Sequence, residues 1–105
     1  MEHDNEINIF KEVHYLLLQY GDGAMANHFA RFVEEDPKTQ DGNYHRLTQN
    51  EQMFWMAGFW MLYFTTRTSE ADVLAAHQLM NCQSAQDFLS VFQQNVLPRV
   101  YVYPG

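Results

Sequence analysis

Lysine and arginine are scarce in this chain: six of 105 residues, against thirteen aspartates and glutamates, for a formal charge of -7. Nucleic-acid phosphates are held by clustered Lys and Arg, so a direct nucleic-acid partner is not expected. Cysteine occurs once, at Cys82, which excludes an internal disulfide framework and a thiolate metal cage. The longest apolar run, Met53 to Phe64, has twelve residues, and a bilayer span needs about 20. Met1 to Glu6 is acidic and polar, without the basic and then apolar pattern of a secretory leader. Together with the lone thiol, this makes a cytoplasmic location the expectation. Phosphate-binding loops and nucleophile elbows are also missing, and Gly21-x-Gly23 reads only as a turn. Neither an enzyme nor a bound cofactor is expected.

What the chain does contain is apolar bulk. Hydrophobic residues make up 47% and aromatics 15%, enough to close a core in one domain spanning residues 1–105. Five segments carry helical periodicity. In the first, about Asn5 to Tyr20, Phe10, Val13, Leu17 and Tyr20 share a face. Gly21-Asp22-Gly23 should end it through a left-handed glycine, with Asp22 capping a second helix, Ala24 to Glu35. Asp36-Pro37 stops that helix, and Pro37 to Arg46, which contains Asp41-Gly42, reads as the longest loop.

Thr48-Gln49-Asn50-Glu51 is a capping box opening a third helix, Gln49 to Thr66. Similar signals at Ser69-Glu70-Ala71-Asp72 and Ser84-Ala85-Gln86-Asp87 open a fourth, to about Met80, and a fifth, to about Asn95. Pro98 should end the last helix, leaving Val100 to Tyr103 as an extended tail. The expected fold is therefore an all-α compact bundle of about five helices around a central aromatic-rich helix.

The third helix makes the strongest demand. Phe54, Trp55, Phe59, Trp60 and Tyr63 are assigned to the core, because apolar residues point around its whole circumference and need cover on every side. A homodimer sharing part of this aromatic surface is one way to complete that cover. Gly58, costly in mid-helix, is expected to mark a close crossing with a neighbouring helix.

Polar candidates are fewer. A helical metal site needs His-x-x-x-His or Glu-x-x-His spacing, and His3, His14, His28, His45 and His77 provide neither. His14 and His28 could still meet across the first helix hairpin, and with His77 they are the candidates for a metal- or cofactor-binding bundle. Cys82 near a helix start could act as a nucleophile or simply as a small apolar residue.

Glu34, Glu35 and Asp36 crowd a helix C-terminus, where the helix dipole disfavours negative charge, and Asp41 follows nearby. Residues 1–52 hold ten acids and four bases, the remainder three acids and two bases. The negative field is thus concentrated in the first half.

Asn43-Tyr44 with Trp55-x-x-Gly58-Phe59 resembles the Asn-Pro-Tyr…Trp-x-x-Gly-Trp pattern of ribosome modulation factor over less than a fifth of the chain. The intervening proline is missing, and the acidic surface replaces that family's basic one, so its RNA-binding function is not carried over.

The leading functional expectation is a non-catalytic protein-interaction module. It would be a small acidic adaptor or inhibitor that docks Glu34, Glu35, Asp36 and Asp41 on a basic partner. A phage-type inhibitor of a nucleic-acid-handling host complex is one concrete form. The alternatives are an amphipathic protein on an apolar or lipid surface, which suits the aromatic and methionine content, and the histidine-based bundle.

Overall fold

The computed structural model describes residues 7–21, 23–67 and 69–100. Six α-helices follow one another: α1 Ile9–Tyr20, α2 Gly23–Glu35, α3 Gln49–Thr65, α4 Glu70–His77, α5 Ala85–Val91 and α6 Leu97–Val100. Short 3-10 turns cover Gln40–Arg46 and Gln78–Asn81, a π-turn covers Phe92–Val96, and no strand occurs among the described residues.

Local chemistry sets most boundaries. Asn8 accepts a hydrogen bond from the Lys11 N–H and starts α1 at Ile9, four residues later than the periodicity alone suggests. The α3 capping box is complete: Glu51 N–H donates to Thr48 Oγ1 at 3.1 Å and Thr48 N–H to Glu51 Oε1 at 2.8 Å. Ser84 caps α5 by accepting from Asp87 N–H. Ser69 opens α4 differently, because its hydroxyl donates to the Asp72 carboxylate instead of accepting from the backbone.

Several expectations are corrected. Gly21 closes α1 in an extended conformation, with its N–H on Leu17 O, and not in the left-handed region. Left-handed geometry appears instead at Asp41 (φ 56°) and Gly42 (φ 79°), which kink the Gln40–Arg46 segment between two short 3-10 pieces. Pro98 does not end the last helix. Its ring would collide with the carbonyl four residues back, and the wider π-turn just before it relieves that crowding, so the helical path continues to Val100. Arg99 Nε then donates to Asn95 O at 3.0 Å. Val100 is therefore helical and buried. The cap at Asp22 and the tail beyond residue 100 lie outside the described residues.

The core sits between α3 and its neighbours. Trp60 is fully buried, and the rings of Phe29, Phe59, Tyr63, Phe64 and Phe92 surround it. Its indole N–H has no hydrogen-bond partner among the described residues. From α2, Phe29 and Phe32 meet Phe59 edge-on at 5.3 and 4.9 Å. Phe10 of α1 joins Tyr44 and Trp55 at 4.9 and 5.1 Å. α4 packs along α3 and buries Ala75 and Ala76. The close helix packing that Gly58 was expected to mark lies between α3 and α4, where Ala76 is fully buried in the core.

α3 is not covered all round. Phe54 is 66% exposed and Leu62 57%, while Trp55 and Tyr63 are half-buried. The assignment of Phe54 to the core is therefore wrong, and Trp55 and Tyr63 belong to its edge. Phe59 and Trp60 alone of the five are fully inside. A Cβ built on Gly58 would meet nothing within 4 Å. Open space lies there, not a neighbouring helix. The remaining helices bury one side of α3 and leave a stripe of the other bare.

Candidate functional site

The acid-rich corner begins where α2 ends. Glu34 and Glu35 are exposed in the last turn, and the chain reverses immediately through residues 36–39. Asp36 organises the reversal. Its Oδ1 accepts from Lys38 N–H at 2.9 Å, and its carbonyl accepts from Thr39 and Gln40 N–H at 3.0 and 2.7 Å.

Thr39 locks the turn. It is 1% exposed, and its hydroxyl donates to Val33 O at 2.6 Å, satisfying a carbonyl that the end of a helix would otherwise leave open. Gln52 holds the far end of the segment by donating to Tyr44 O and Leu47 O. Asp41 is thereby presented at an exposed, left-handed position. No ion pair involves Glu34, Glu35, Asp36 or Asp41 among the described residues, and Lys38 is the one base within that eight-residue stretch. Sequence reasoning found the acids but missed Thr39 and Gln52, since neither lies on a recognisable motif.

Beside this corner runs a half-open groove of about 670 Å³ lined by Lys38, Leu47, Asn50, Glu51, Phe54, Trp55 and Gly58. That volume falls in the range of ligand-binding clefts, and its floor is the bare stripe of α3. A smaller groove of about 240 Å³ between α1 and α2 contains His14, Lys11 and Glu34 between aromatic walls.

The remaining candidates are dispersed. His14 lies in the smaller groove, whereas the His28 ring is 6.5 Å from Tyr63 on α3. The hairpin therefore gives the two histidines different neighbours. His45 lies against Tyr44 at 4.2 Å, and His77 is exposed at the end of α4; His3 is outside the described residues. No group of three His, Cys, Asp or Glu side chains suited to a metal ion occurs among the described residues. Cys82 is half-buried, and burial pushes its thiol up, with Asp87 adding to the effect. That environment opposes thiolate formation and hence nucleophilic chemistry.

Asp72, by contrast, has an ionic partner. Arg99 Nη1 and Asp72 Oδ1 form an ion pair at 2.5 Å, tying α6 to α4. Burial raises the Asp72 carboxyl, but the Ser69 hydroxyl and the Arg99 guanidinium outweigh it and hold the group below the ordinary carboxylate value.

No helix among the described residues is long and apolar enough to cross a membrane. No protein-family model, curated protein or solved structure matches this chain.

Proposed function

We propose that the chain is a non-catalytic interaction module, a cytoplasmic acidic adaptor or inhibitor that presents its corner at Glu34, Glu35, Asp36 and Asp41 to a basic protein surface. The observation that supports this reading most is the Thr39 latch. Four acids without ion pairs among the described residues are held in one fixed turn, although their mutual repulsion favours spreading them apart. Fixing charges in advance lowers the ordering cost of binding. An inhibitor of a nucleic-acid-handling complex fits this chemistry, because the surface it would cover is already basic.

The lipid-surface alternative draws less support. The apolar stripes of α1 and α2 face the core, where they bury Val13, Leu17, Phe29 and Val33.

The test starts with host proteins retained on the immobilised chain and then measures the purified partner by calorimetry across a salt series. Replacing Glu34 and Glu35 by Gln and Asp36 and Asp41 by Asn should weaken binding by roughly 10- to 100-fold at low salt, and it should flatten the salt dependence. Equal affinity of the quadruple variant at low salt would remove the corner from the contact surface.

A further inference from the structure

We infer that the bare stripe of α3 seats a second copy of the same stripe, giving an antiparallel, two-fold symmetric dimer whose helices cross at Gly58. The register argues for it. Asn50, Phe54, Gly58, Leu62 and Thr66 are spaced by four and form one ridge along the helix.

If the helix is turned end for end about Gly58, Phe54 falls opposite Leu62 of the second copy and Trp55 opposite Met61. Asn50 then meets Thr66, and Glu51 meets Thr65. Large apolar residues thus meet large apolar residues on either side of the crossing, and polar residues meet polar ones at the ends. A two-fold interface requires this kind of self-complementarity. Gly58 adds the missing space: beyond its chain neighbours and the backbone of its own helix, nothing comes within 4 Å of an added Cβ, so the gap between Phe54 and Leu62 is open to another backbone.

Area permits the same occupant. Phe54 and Leu62 are each more than half exposed. At roughly 150–250 Å² per large aromatic side chain, these two residues from both copies contribute on the order of 400–500 Å². Trp55, Met61 and Leu47 are half-buried and add less. The interface therefore reaches the roughly 1,200 Å² at the low end of specific interfaces only with the exposed Asn50, Glu51, Thr65 and Thr66 at its ends, which marks the dimer as a weak one. Glu51 is the one charged residue on the exposed arc of α3, and it falls opposite a neutral threonine. Lys38, on the rim near the start of α3, comes close to the negative C-terminal end of the copy's helix. The net charge of -7 on each copy repels only at long range. Added salt therefore strengthens this dimer, whereas it weakens binding through the acid corner.

Sedimentation equilibrium from about 1 to 500 µM should show a reversible monomer–dimer transition that tightens with salt. Gly58→Leu fills the crossing and should raise the dimer dissociation constant at least tenfold, while dilute protein melts no lower than the parent. In a Cys82→Ser background, Gly58→Cys should form a disulfide-linked dimer in a glutathione redox buffer, because the two positions face each other on the axis. Gln93→Cys, exposed away from α3, should not.

A chain that stays monomeric throughout, a Gly58→Leu variant that dimerises unchanged, or equal cross-linking at both sites overturns the inference. So does a monomer whose groove accepts a synthetic amphipathic peptide more tightly than a second copy. The quadruple acid-corner variant, which carries less repelling charge, should dimerise at least as tightly as the parent, so failure of one proposal leaves the other standing.

Discussion

Trp60 and Phe54 stand six residues apart on α3, and one is fully buried while the other is two-thirds exposed. Nothing in their local sequence separates them, since both are large, aromatic and flanked by apolar neighbours. They differ in what the rest of the chain places over them. The described helices enclose Trp60 with rings from α2, the π-turn and α3 itself, and they leave Phe54, Gly58 and Leu62 open. A helix's composition states how much surface should be hidden. The number and length of its neighbours decide how much is hidden.

Substitutions sharpen this contrast between the closed and open sides. The largest effect is expected on the closed side. Trp60→Ala should cost roughly 3–5 kcal/mol, enough to leave a domain of this size largely unfolded in mild urea. Phe54→Ala, examined in dilute protein, should stay within about 0.5 kcal/mol of the parent. Similar losses for both would mean that the open side is covered after all.

The Thr39 latch comes next. Thr39→Val keeps the shape but removes the hydroxyl that satisfies Val33 O, for an expected loss of about 1–3 kcal/mol. Hydrogen exchange should quicken at the Thr39 and Gln40 amides ahead of global opening. Unchanged protection there would detach the acid corner from the core.

On the open side the sign reverses. Gly58→Ala adds a methyl group to empty space in mid-helix and should stabilise dilute protein by up to about 1 kcal/mol. A loss of stability would show that another side chain needs that space.

The smallest effect concerns the clasp that closes the far edge of the core. The Asp72 carboxyl is held below its ordinary value, so its contribution is complete above the unfolded carboxylate value of about 4. It is lost as pH falls through the lower folded value. The Arg99 side chain is substantially exposed, which limits the pair to about 1 kcal/mol or less. Asp72→Asn should therefore lower stability slightly at neutral pH and make the acid limb of a melting-temperature profile shallower. An unchanged acid limb would show that the clasp adds nothing.

Much of the architecture was legible beforehand. The stripe of Phe10, Val13 and Leu17 (its expected fourth member, Tyr20, is exposed at the end of α1), the Thr48–Glu51 capping box and the Ser84 cap are short-range patterns that depend on residues three or four positions apart. Pro98 misled because a proline's effect depends on whether the preceding turn can widen, and that turn is held by the burial of Phe92 and Val96. The acids at Glu34, Glu35, Asp36 and Asp41 could be read directly, but the means of fixing them could not. Thr39 is recognisable as a latch only once its hydroxyl is seen against Val33 O, six residues away.

The sequence by itself determined that this chain is helical, where most helices begin, and that its charge is negative and concentrated toward the first half. Those properties follow from backbone hydrogen bonding and composition, which act locally or add up without reference to shape. Only the tertiary structure decided that one side of α3 stays bare and that Asp72 finds Arg99 twenty-seven residues away. Cover and long-range pairing depend on how a limited amount of chain is distributed around a helix, and a chain of this length has too few neighbouring helices to enclose α3 completely.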